Sequence, residues 1–174
     1  MIELLHPAFE EPIEDRIDYL IAVASVAFAD GATDRSELLK ISELCAELGV
    51  TGDGAQRVTT AASVPDRAQV EGILARFRQS KLRVTLLIDA MVVVYADDRV
   101  DKGEAAEIAR FAKALGFSTA DAVLVGRYVE ESVRGQGGEA LSRDLAGKLS
   151  ELAAEIPPQG VVRNLFDRLR RRVG

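Results

Sequence analysis

The chain has no tryptophan, and aromatic residues make up only 5% of it. Its core must therefore rest on Ala, Val, Leu and Ile. A single cysteine, Cys45, excludes an intramolecular disulfide framework and fits a reducing compartment. The single histidine, His6, lies near the start, which removes zinc-hydrolase spacing and a Ser-His-Asp arrangement within one chain. No GxxxxGK[ST] loop occurs. The opening Met1-Ile2-Glu3-Leu4-Leu5-His6-Pro7 lacks the basic start and apolar run of a signal peptide. The longest charge-free apolar run, Tyr19 to Ala29, is too short to span a bilayer. These absences predict a soluble, cytoplasmic protein.

What is present points to a globular chain. Hydrophobic residues are 48% of 174, enough for one domain with a sizeable core. The net charge of -6 argues against nucleic-acid binding by the surface at large. That charge is uneven. Residues 159–174 hold five Arg and one Asp, so they carry +4 and the remainder -10.

Helical spacing runs through the sequence. Pro7 and Pro12 mark residues 1–12 as an irregular arm. Ile13, Ile17, Leu20, Ile21, Ala24 and Phe28 then recur on one face, up to Asp30-Gly31. Leu38, Ile41, Leu44, Cys45 and Leu48 form a second face, stopped by Gly49. Residues 51–64 are Gly-, Thr- and Ala-rich and predict only a short helix. Asp66 is placed to cap a helix over 66–78. Leu82 to Ala96 is the most apolar segment. Met91-Val92-Val93-Val94-Tyr95 suits a strand, but fifteen residues without Gly or Pro favour a helix. Further helices are expected over 101–115, 119–133, 139–156 and 161–172. The fold class read from this pattern is all-α.

Two stretches organise the rest. Ala29-Asp30-Gly31-Ala32-Thr33-Asp34-Arg35-Ser36-Glu37 is echoed by Ala96-Asp97-Asp98-Arg99-Val100-Asp101-Lys102-Gly103-Glu104. Sliding residues 18–51 onto 85–118 without a gap matches ten of 34 positions, among them Asp30/Asp97, Asp34/Asp101, Glu37/Glu104 and Gly49/Gly116. The matched apolar positions fall mostly on one face, as two pseudo-equivalent helical hairpins require.

An apolar helix ending in Ala-Asp-Gly, then Asp-x-x-Glu and a second helix ending in Leu-Gly, resembles the TerB-like tellurite-resistance family. The likeness is clearest over about residues 13–133, in both halves; the second copy departs from it at Asp98, which stands where the first has Gly31. The resemblance implies an all-helical domain with an internal pseudo-twofold. It further implies a bacterial cytoplasmic protein of tellurite resistance and stress response, with acids that bind divalent cations; the residues themselves show no catalytic constellation, so a noncatalytic protein is expected. Residues 1–158 form this domain and residues 159–174 a basic amphipathic tail.

The candidate metal ligands are Asp30, Asp34, Glu37, Asp97, Asp101 and Glu104, for Ca2+, Mg2+ or Mn2+. In each turn an acid closes one helix, where the dipole disfavours it, and two more open the next. A hard dication relieves the repulsion among them. Helix capping explains the Asp34/Glu37 and Asp101/Glu104 pairs equally well. Asp89, set among Leu86-Leu87-Ile88 and Ala90-Met91-Val92, needs a partner if buried, and an arginine or a backbone cap is expected. In the tail, Val162, Leu165, Phe166 and Leu169 make an apolar stripe. Either it docks on the chain's own acidic domain, or Arg163, Phe166, Arg168, Arg170, Arg171 and Arg172 meet an acidic protein partner or an anionic membrane surface.

Overall fold

A computed structural model describes residues 5–27, 35–96, 100–134, 139–152 and 156–173. Among them are nine α-helices, one 3-10 turn and no strand. The all-α expectation holds, including over the apolar segment that invited a strand.

Helix α1 (Ile13–Ala27) is followed by α2 (Arg35–Glu47), α3 (Gly52–Ser63) and α4 (Arg67–Phe77). The second half brings α5 (Arg83–Tyr95), α6 (Lys102–Ala114), α7 (Thr119–Arg134), α8 (Glu139–Leu152) and α9 (Gln159–Val173). Helices α1 and α5 form the buried centre. They pack on each other, and α3, α4, α6, α7 and α9 cover them. Every residue of α5 from Val84 to Val94 is buried, which is why its sequence shows no polar face.

Two expectations are corrected. The opening arm is not irregular, because Pro7–Glu10 forms a 3-10 turn. Proline suits that first position, where its missing N–H would be unpaired anyway. Residues 51–64 hold a full twelve-residue helix, α3, rather than a short one. Its Val58 and Ala62 are buried, and packing along α1 outweighs its weak helix formers.

The helix signals near the repeat are met by local hydrogen bonds. Asp66 accepts from the Gln69 N–H at 3.2 Å and caps α4. Gly49 (φ 64°) and Gly116 (φ 81°) take the left-handed conformation that ends α2 and α6. The bonds that follow also correspond. Val50 N donates to Cys45 O at 2.8 Å, and Phe117 N to Ala112 O at 3.0 Å. Helices α2 and α6 are both 13 residues long and start 67 positions apart.

Helix α9 lies on α2, α5 and α7. Val161, Val162, Leu165, Phe166 and Leu169 are all buried there. Docking on the chain's own body, one of the two readings of the stripe, is what the structure shows. The Tyr128 hydroxyl donates to Pro157 O at 2.7 Å and holds the approach to this helix.

Candidate functional site

The acidic turns are described in part. Asp30, Asp34 and Asp97 lie outside the described residues. Asp101 is the N-cap of α6: its Oδ1 accepts from Glu104 N at 2.7 Å, and Glu104 Oε2 accepts from Asp101 N at 3.0 Å. This is a complete capping box. Each carboxylate uses one oxygen for it, so Asp101 keeps Oδ2 for a further ligand. The donors are all oxygen, which suits a hard dication. Among the described residues, no three His, Cys, Asp or Glu side chains come together as a metal cluster.

Glu37 is buried on α2, and so is Lys40 one turn further on, at 2% exposure. Sequence reading passed over Lys40. The position 67 further on is Glu107, which pairs with Arg110 instead. Positions 40 and 107 thus carry opposite charges in the two hairpins.

A pair of arginines outside the compared window proves equivalent as well. Arg16 of α1 donates through Nη1 to Leu48 O at 2.9 Å and through Nε to Glu11 O at 2.7 Å. Arg83 of α5 donates to Leu115 O and to Leu152 O, each at 3.4 Å. Both guanidinium groups sit at the negative end of the following hairpin helix, where a cation is favoured. Each also lies over an aromatic ring, Arg16 over Phe9 at 5.0 Å and Arg83 over Phe117 at 4.4 Å. Their spacing of 67 residues, the period of the repeat, was the signal.

Asp89 is buried, but its partner is neither an arginine nor a backbone cap. Its Oδ2 accepts from the Tyr19 hydroxyl at 2.6 Å and lies 2.7 Å from His6 Nε2. His6 Nδ1 accepts from the Ala8 N–H at 3.1 Å, which leaves the proton on Nε2, facing Asp89. Burial works to lower the His6 pKa, but the Asp89 carboxylate and its hydrogen bond outweigh it, and the net shift is upward. Burial and the Asp89 charge hold the Tyr19 phenol well above its ordinary value, so it stays a donor. No helical or strand period connects residues 6, 19 and 89. Only the fold brings them together.

The remaining reactive groups are equally enclosed. Cys45 is buried, and burial pushes its thiol up to about 11. A thiol held there is not a nucleophile near neutral pH.

On α9, Arg168 pairs with Glu47 of α2 at 2.8 Å. Phe166 is buried, with Arg170 5.8 Å from its ring centre. Arg171 Nε donates to Asp167 O within its own helix at 3.2 Å. Arg163 and Arg170 are exposed. The side chain of Arg172 lies outside the described residues. No helix among the described residues is long and apolar enough to cross a membrane.

The described residues thus form an all-helical domain of two related hairpins, each with a glutamate in the first turn of its second helix and an arginine on the carbonyl that ends it. A family model, Tellurite resistance protein TerB, matches residues 23–126, well over half the chain. The chain belongs to that family. No curated protein and no solved structure matches it.

Proposed function

We propose that the chain is a noncatalytic TerB-like domain of bacterial cytoplasmic tellurite resistance and stress response, which holds a divalent cation at its acidic turns. The noncatalytic reading is supported by one observation above all. The single histidine and the single cysteine are both buried, the first committed to Asp89 and the second held protonated. In this reading the two hairpins are copies of one unit, which accounts for the matched Gly49/Gly116 ends and the matched Arg16/Arg83 clamps.

Asp30, Asp34 and Glu37 would hold one ion, and Asp97, Asp101 and Glu104 another. The second turn carries Asp98 where the first has Gly31, so the two sites should differ in affinity. Asp101 keeps one oxygen beside its capping role, enough for monodentate ligation, so binding is weak and selectivity poor. Titration of the full chain with Ca2+ and with Mn2+, followed by amide NMR, tests this. Signals next to the two turns should move or broaden, and Asp30→Asn with Asp97→Asn should remove the effect. Unchanged spectra in the wild type, or unchanged binding in the double variant, would reduce the acids to helix caps.

A second reading assigns α9 to contact with an acidic partner or membrane surface. The exposed Arg163 and Arg170 favour it. The apolar stripe is spent inside the fold, so such contact would be electrostatic. Vesicles rich in anionic lipid should then release the protein as salt rises.

A further inference from the structure

A groove of about 1440 Å³ runs between α6, α7 and the end of α9, with α5 as its floor. Its apolar lining includes Met91, Ile108, Phe117, Val123 and Phe166. Val123 is 59% exposed, so an apolar wall stands in solvent with nothing from the described residues over it. The rim is basic on both sides: Arg110 and Lys113 from α6, Arg127 and Arg134 from α7, Arg170 from α9. Among the described residues Glu130 is the one acid in the lining, and it is taken up by Arg134 at 2.8 Å. Arg110 is occupied by Glu107 and, at 3.7 Å, by Glu71. Lys113 and Arg127, on opposite walls, make no ion pair with a described residue.

We propose that this groove is the docking site for an acidic amphipathic helix of a partner protein. Three features select that occupant. The volume exceeds the roughly 300–1,000 Å³ usual for small-molecule pockets. The cations are strung along the walls and not gathered at one end. Positions 110 and 113 share one face of α6, and positions 127 and 134 share one face of α7, about 10 Å apart along its axis. A single-headed amphiphile would answer only one of these charges. A helix with an apolar stripe flanked by Asp and Glu answers both walls while its stripe fills the floor. The chain already uses this packing mode once, where the stripe of α9 enters the body and Arg168 meets Glu47 beside it. The proposal stands independently of cation binding at the turns.

The test is a selection of displayed helical peptides of about 18 residues, or five turns, against the full chain. Enriched sequences should carry apolar residues at i, i+3 or i+4, and i+7, flanked by Asp and Glu. Their amide shifts on the chain should map to α6 and α7. Lys113→Glu with Arg127→Glu should weaken binding by about tenfold or more, as charge reversal at a complementary rim does. Val123→Asp should do the same by placing an acid on the apolar wall that the stripe would cover. All three residues are exposed, and unchanged circular dichroism would confirm that the variants fold. Failure to enrich any peptide, enrichment of basic or aperiodic ones, or binding indifferent to these substitutions would overturn the proposal. So would groove shifts caused by dodecanoate and by no acidic peptide, which would assign the site to a single-chain amphiphile.

Discussion

The two halves differ in the space they leave: about 460 Å³ beside α3 in the first, about 1440 Å³ beside α7 in the second. Helix α3 lies tightly along α1 because Gly54 removes a side chain at the contact. A Cβ placed there would meet Ile17 Cδ1 at 3.0 Å and Val50 Cγ1 at 3.1 Å. The position 67 further on, in α7, is Asp121, and beside that helix lies the basic groove. The clamps differ in the same direction. Arg16 holds two carbonyls at 2.7 and 2.9 Å, while Arg83 reaches its two at 3.4 Å. Only the central helix reverses the trend. Helix α5 carries the buried Asp89 where α1 has the apolar Ala22. One arrangement of helices thus takes two forms: a half packed closely at Gly54, and a half that leaves a basic groove.

The largest expected effect comes from making the two central helices alike. Asp89→Ala leaves the Tyr19 hydroxyl and the His6 N–H unpaired in the core. It should cost about 3–5 kcal/mol in urea unfolding, as removal of one partner of a buried pair does. A cost below about 1 kcal/mol would show that water enters and satisfies both. Next, Gly54→Asp gives α3 the residue found in α7. Overpacking against Ile17 and Val50 should destabilise by about 1–3 kcal/mol. An unchanged midpoint would mean that the tight contact is not what separates the halves.

The clamps offer a smaller, paired measurement. Arg16→Ala should cost about 1.5 kcal/mol and Arg83→Ala less than about 1, given the shorter bonds of the first. Equal losses would contradict the asymmetry. The smallest effect is a pH dependence. The His6 pKa is raised in the folded state, so its contribution is fully present below the ordinary value of 6.5 and fades as pH rises through the folded value. The difference in Tm between wild type and His6→Asn should accordingly be widest below pH 6.5 and narrow above it. The opposite slope would mean that neutral His6, capping the 3-10 turn through Ala8, is the more stabilising form.

Much of this difference was written in local patterns, and some was not. The hairpins were legible because Ile41 and Ile108, or Gly49 and Gly116, act within one turn of their neighbours. The Asp101–Glu104 box was legible for the same reason. Pro7 misled, because the residue that breaks an α-helix also begins a 3-10 turn. Helix α3 was underestimated because its helicity comes from contact with α1, not from its Gly and Thr residues. His6 could not be paired with Asp89 from the sequence, since 83 positions separate them. The groove was hidden for a related reason. Val123 reads as an ordinary helical position, and its exposure depends on where α6 and α9 end up. Asp30, Asp34 and Asp97 lie outside the described residues.

The shared oxygen of Asp89 also sets an order of events in synthesis. Tyr19 and His6 leave the ribosome 70 and 83 residues before their acceptor. Until then α1 can form and meet α3, but a phenol and an imidazole remain without a partner at the centre of that hairpin. The first half therefore cannot reach its final stability as it emerges. Its two donors gain their buried acceptor only once residue 89 has been added and α5 packs against α1.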